Sequence, residues 1–252
     1  MADHKDDKSQ LGKDIQTLAF LRKLQAATGL VIATFTALHL GNHFLMHFGL
    51  DAHRFLFLRA RKVYTNPLAE TVLLSSIGIH ALLGIYRYKG LSQEWPRRLF
   101  QMCGWALITI IPGHVYATRV WGEGAKMQDF DVTFAGMATR LIPYFFIPYY
   151  AAFSAAGAYH MYCGVAKAGV TLRIPALAQI PQHGSKFVKY TTVLALMAAS
   201  SALAISGVYF SYPMVEEALL IKDYFSHWPE SFTRHIKLPE AGEWFASFRF
   251  NV

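Results

Sequence analysis

Five long apolar runs govern what this chain can fold into. Each is about 20 residues long, the length an α-helix needs to cross the hydrocarbon core of a bilayer. The first runs from Leu24 to Phe48, after Arg22 and Lys23. The second runs from Leu68 to Tyr88, opened by Asn66-Pro67 and closed by Arg87 and Lys89. The third runs from Phe100 to Val120, between Arg97-Arg98 and a loop at Gly122–Gly124. The fourth runs from Leu141 to Ala166, with Pro143 in its first turn and Pro148 placed to bend it. The fifth runs from Tyr190 to Tyr212, stops at Pro213, and carries a small-residue stretch, Ala198 to Ala202, that lets helices approach closely in lipid. Backbone groups in lipid must be paired within the segment. The runs therefore predict an all-α membrane protein, a five-transmembrane-helix bundle over residues 21–212. A polar tail, residues 1–20, precedes it, and an aromatic-rich tail outside the membrane, residues 213–252, follows it.

Composition agrees. Only 16% of the residues are charged and 54% are hydrophobic, against about 25% charged in an average soluble domain. The net charge of +8 would suggest nucleic acid in a soluble protein, but here Lys and Arg stand at the ends of the apolar runs, where they meet headgroups. Membrane lipids are the expected partner, and nucleic acid is not. Near the membrane, 10 Lys and Arg fall on the N-terminal side against 7 on the other, which leans the N-terminus toward the cytoplasm or matrix. The two cysteines, Cys103 and Cys163, lie inside apolar runs without metal or disulfide spacing and read as packing residues. The first 14 residues hold Asp3, Asp6, Asp7 and Asp14. They look like neither a transit peptide nor a secretory signal, so targeting is expected to be internal, or the protein bacterial.

Four of the five runs carry a histidine near the middle: His39, His80, His114 and His160. Such side chains are costly at bilayer depth and usually functional. A single one could be a satisfied core residue; one in each of four helices is harder to dismiss. At a rise of about 1.5 Å per residue, His39 and His114 sit roughly 4–6 Å beyond the middle of their spans, toward the far side. His80 and His160, on spans running back, sit roughly 3 and 10 Å toward the N-terminal side. They sort into a far layer (His39, His114) and a near layer (His80, His160). Two histidines at one depth on two helices can clamp one haem iron, the bis-histidine arrangement suited to electron transfer. Zinc needs four converging ligands, and a proton relay does not explain paired depths.

The surroundings repeat. His80 and His160 are each followed four residues later by a glycine, Gly84 and Gly164, which would let a flat macrocycle lie against the backbone. A basic residue follows at the same offset, Arg87 and Lys167. These two, and Arg119 on the far side, are candidates to pair with haem propionates or to act as ordinary interface anchors. The interval from His39 to His80 is close to that from His114 to His160, a hint of an internally duplicated two-helix unit. His43 and His47 share a helix stripe with His39; either could compete as a ligand, but their place nearer the membrane edge favours an interfacial role. The tail after Pro213, with Tyr224, Phe225, Trp228, Phe232, Trp244, Phe245, Phe248 and Phe250, suggests a segment lying on the membrane or on a partner protein.

With Leu38-His39-Leu40-Gly41-Asn42-His43 close to a His-Leu-x-Gly-Asn segment, residues 20–212 resemble the succinate dehydrogenase and fumarate reductase cytochrome b superfamily, in its single-chain, five-helix, two-haem form. That resemblance implies haem ligands from the first four spans and none from the fifth, carried over to His39, His80, His114 and His160. It implies two haem b groups, paired His39/His114 and His80/His160, in a membrane subunit of a respiratory-chain complex, with a quinone as a further candidate ligand. Tyr64-Thr65-Asn66-Pro67-Leu68-Ala69-Glu70, His80 to Gly84 and His114 to Arg119 equally resemble a mitochondrial offshoot of that superfamily, known in fungi for rescuing defects of organelle tethering and lipid supply. That second resemblance implies a non-enzymatic membrane scaffold or lipid-homeostasis protein. The Arg-Pro-x-Ser-Pro-His segment of the usual mitochondrial anchor has no counterpart here. The expected location is the mitochondrial inner membrane, or the plasma membrane of a bacterium. The chain has no flavin motif, iron–sulfur cysteine set or nucleotide loop, so substrate oxidation would fall to other subunits, reached through the C-terminal tail.

Overall fold

The computed structural model describes residues 3–121, 135–136, 138–139 and 142–208. Among these residues every regular element is a helix. The elements are α1 (Asp3–Phe44), a 3-10 turn (Leu45–Phe48), α2 (Leu50–Tyr64), α3 (Pro67–Tyr86), α4 (Trp95–Val115) with a π-helical turn (Tyr116–Trp121), α5 (Pro143–Leu172), the short α6 (Pro175–Ala178) and α7 (Gly184–Ile205). The tail from Pro213 on and the Gly122–Gly124 loop lie outside the described residues.

Four segments are long and apolar enough to cross a membrane: Asp14–Phe48, Pro67–Tyr86, Trp95–Thr118 and Gly184–Ile205. The chain is a membrane protein on this ground. Much of the apolar side-chain surface points outward, as at Leu68, Leu82, Leu196 and Val193, which suits contact with lipid tails. The segment expected as span four is α5, 30 residues long. It is long enough to cross but less apolar than the other four, because Tyr144, Tyr149, Tyr150, Tyr159 and Tyr162 and the small residues between Ala151 and Ala158 (all but Phe153) replace bulky aliphatics. It is also the most enclosed helix, packed against α1, α4 and α7, with Ala158, Cys163, Ala166 and Ala168 buried. A helix surrounded by helices gains from small side chains that allow close approach and has less need of lipid-facing bulk. Pro148 lies inside α5 without ending it.

Boundaries differ from the apolar runs in instructive ways. The polar tail from Asp3 continues into span one as one unbroken helix, α1, of 42 residues, about 63 Å long at 1.5 Å per residue. α7 begins at Gly184, ahead of Lys186 and Lys189, since charged residues at a helix end are as helical as apolar ones. It ends at Ile205 rather than at Pro213, because Gly207 turns left-handed (φ 76°) and Val208 N–H donates to Leu203 O at 3.1 Å, closing the last turn. α3 starts where Asn66-Pro67 indicates: Asn66 Oδ1 accepts from Leu68 N–H at 3.1 Å and Pro67 occupies the first turn. None of the five apolar runs covers residues 49–65. There α2 forms, with Phe57 and His53 buried, and Phe55 and Arg59 outward, the Arg59 guanidinium 3.6 Å over the Phe55 ring. Its four basic residues (Arg54, Arg59, Arg61, Lys62) hide its apolar face from a hydropathy reading.

Candidate functional site: two opposed histidine pairs

His80 sits on α3 and His160 on α5, and both rings are placed by main-chain atoms of a neighbouring helix. His80 Nδ1 lies 3.0 Å from Gln25 O of α1, and His160 Nδ1 lies 3.2 Å from Phe100 O of α4. An imidazole that donates its Nδ1 proton to a carbonyl keeps the lone pair on Nε2, the form that binds metals. Each ring also rests against a glycine one turn beyond the carbonyl. A Cβ on Gly29 would meet His80 Cε1 at 2.9 Å, and a Cβ on Gly104 would meet His160 Cε1 at 2.9 Å. A side chain at either position would push the ring away. The two rings meet edge-on, with centres 6.3 Å apart and planes at 86°.

The far pair is placed by other rings. His39 on α1 stacks on Phe35 (5.4 Å, 13°) and meets His43 (4.2 Å, 60°). His114, near the end of α4, lies edge-on to Phe153 of α5 at 5.4 Å. It follows Pro112, which is inside the helix, and precedes the π-helical turn. Pro and π-turns both bend helices, so the His114 backbone sits at a local change of helix geometry. His39 and His114 meet edge-on, with centres 6.1 Å apart and planes at 68°. Thus the structure brings together His39 with His114 and His80 with His160, and His39 rather than His43 faces α4.

His43 and His47, expected near the membrane edge, are both half-buried and meet other elements. His43 faces His53 of α2, and His47 Nε2 lies 3.3 Å from Ser200 Oγ on α7. The reason is α2, which packs back against α1 and covers this end. Gly164 has open space beside it, while a Cβ on Gly84 would meet Gln25 Nε2 at 3.4 Å. The Arg87 guanidinium donates to Gln25 Oε1. Lys167 Nζ lies 3.6 Å over the Phe100 ring, which stacks on His160 at 4.3 Å and 2°. Each basic residue is thus tied to the same residue whose carbonyl orients the histidine, Gln25 in one half and Phe100 in the other. Arg119 belongs to the π-helical turn, and its side chain lies outside the described residues. Cys103 and Cys163 pack with Tyr159 and Phe187 in a buried cluster.

Gly29 and Gly104 were missed from the sequence. The signal that could have found them is a repeat: each stands ten residues before a far-layer histidine, His39 or His114, and four after the carbonyl residue, Gln25 or Phe100. Among the described residues no group of three or more His, Cys, Asp or Glu side chains is placed to hold a metal ion.

No family model, curated protein or solved structure matches the chain.

With metal–nitrogen bonds of about 2 Å and ring centres about 1 Å beyond the nitrogen, two imidazoles on opposite sides of one ion stand about 6 Å apart, centre to centre. The separations of 6.1 and 6.3 Å suit that arrangement. Neither α1 with α4 nor α3 with α5 is among the extensively packed helix pairs.

Proposed function

We propose that this chain is a di-haem b membrane protein with five transmembrane helices, α1, α3, α4, α5 and α7, the first four of which supply the haem-binding core. The observation that carries the reading is the two histidine pairs at nearly equal separation, each contributed by two helices that are not among the extensively packed pairs. The donor set fits the group: two neutral imidazoles per site, an Nε2 lone pair fixed in the near pair by a carbonyl on Nδ1, and a glycine with open space, Gly164, one turn from His160. His39 and His114 would hold one haem, and His80 and His160 the other. Bound haem supplies one-electron transfer between ferric and ferrous iron. The chain's part is to fix the ring planes, exclude water and offer Arg87 and Lys167 near the end of the near site, where propionates would lie.

Two sites at different depths form a path along the membrane normal, which suits a subunit that passes electrons between partners. We therefore read the chain as the membrane anchor or electron-transfer subunit of a respiratory complex similar to succinate dehydrogenase, in the mitochondrial inner membrane. The test is a pyridine haemochrome assay on purified protein. Two b haems per chain are expected. A value near zero would overturn the cytochrome reading and leave the membrane scaffold or lipid-homeostasis role.

A further inference from the structure

The helix between the first two spans is held at the membrane surface. α2 is joined to α1 by the 3-10 turn Leu45–Phe48 and Gly49, and to α3 by Thr65 and Asn66 alone. Gly49, at φ 107°, reverses the chain. α2 then runs back beside α1: His53 Nδ1 lies 3.2 Å from Asn42 O, and the Tyr64 ring meets the Phe35 ring edge-on at 5.6 Å. Pro67, three residues past its end, opens a helix apolar enough to cross the membrane. α2 therefore lies at the level where a span enters the bilayer.

Its outward side is built for that level. Phe55, Arg59, Lys62 and Val63 are all exposed, and their spacing puts them on one helix stripe. Phe55 is 62% and Val63 67% exposed, while the opposite stripe, His53 and Phe57, is buried. Arg59 Nη1 donates to Phe55 O at 2.7 Å, and its guanidinium covers the Phe55 ring. One aromatic and one cation are thus presented as a unit. Residues 49–65 hold four cations and one acid, Asp51, in the first turn; the next acid is Glu70, inside α3. A helix with apolar and cationic residues side by side lies in the interface, its apolar groups at the acyl boundary and its cations on lipid phosphates. The flanking spans hold this side against lipid, and the excess of cations selects anionic over zwitterionic headgroups. We propose that α2 is an interfacial helix that binds anionic phospholipid, with Arg59 and Lys62 on the headgroup phosphate and Phe55 and Val63 at the acyl boundary. The proposal needs only the membrane character of the chain and none of the haem reading.

The test is native mass spectrometry of the full-length protein in detergent, titrated with equal amounts of phosphatidylglycerol and phosphatidylcholine of one chain length. One cation beside an anionic headgroup is equivalent to about fivefold in affinity. Wild type should retain phosphatidylglycerol at least about fivefold over phosphatidylcholine, less so as ammonium acetate is raised. The double variant Arg59→Gln, Lys62→Gln should lose most of that preference. Arg97→Gln with Arg98→Gln, an equal loss of charge at exposed residues before α4 has completed its first turn, should change it by less than about twofold. Should the first double variant fail to fold, Lys62→Gln and the wild-type preference decide. Wild type without preference would leave the stripe to a protein partner and overturn the proposal. It is also overturned if both double variants lose the preference equally, if the α2 variant keeps it, or if glycerol phosphate competes as well as the lipid.

Discussion

The near and far histidine pairs have almost the same ring separation, 6.3 and 6.1 Å, yet they are built from different materials. The near rings hang from main-chain carbonyls, Gln25 O and Phe100 O, and lie flush against Gly29 and Gly104. The far rings are wedged among side chains: Phe35 and His43 around His39, Phe153 beside His114. A carbonyl in a helix cannot move without the helix moving, whereas an aromatic neighbour can turn or be replaced. The near pair should therefore tolerate changes in surrounding side chains but no added atom at its glycines. The far pair should show the opposite sensitivity.

The largest expected effect comes from removing the rings themselves. Given the haem assignment, His80→Ala and His160→Ala should each eliminate the same redox component, and His39→Ala and His114→Ala the other, taking haem from two per chain to one. Loss of one axial ligand leaves an open position and a polar hole in an apolar bundle. Redox titration of each variant checks this. If His39→Ala loses the component missing in His80→Ala, the assignment of rings to pairs fails.

A smaller effect separates the two designs. Gly29→Ala and Gly104→Ala each place a Cβ 2.9 Å from a near ring, well inside normal contact. Each should abolish or strongly shift the near component and leave the far one at its wild-type potential. The contrasting variant, Phe35→Leu, removes a ring stacked on His39 and should perturb the far component alone. Low-temperature absorption and the g-values of the oxidised haems read both. Equal disturbance of both components by Gly29→Ala would dissolve the distinction between the pairs.

The smallest effect concerns charge. Removing a cation beside a haem favours the more positive, oxidised form. Arg87→Gln and Lys167→Met should therefore lower the near potential, by an amount equivalent to about 1 kcal/mol or less at a partly solvated site. The far potential should not move. A raised near potential would mean that these side chains act by holding Gln25 and Phe100 rather than by charge.

The sequence made the spans legible because lipid imposes length and apolarity on any crossing helix. The histidines were legible because imidazole at such depth is costly. α2 was not, because its buried side is only Phe57 and His53 among basic neighbours, a pattern that reads as a loop between membrane spans. With α2 missing, His43 seemed to belong at the membrane edge, and its contact with His53 could not be foreseen. The cradling glycines were hidden for another reason: what they do depends on which helix lies alongside, a tertiary fact that a single glycine in an apolar run does not carry. Only their repetition relative to His39 and His114 betrays them.

The distribution of contacts between the two halves bears on how the protein is made. The carbonyl that orients His80 on α3 comes from α1, and the carbonyl that orients His160 on α5 comes from α4. Paired rings, by contrast, always come from opposite halves. As the chain is synthesised, the first hairpin can orient its histidine before the second has left the ribosome, and the second can do the same without waiting for the first. What remains is the meeting of two prepared pieces, and a ligand gripped between them would act as the rivet that closes assembly.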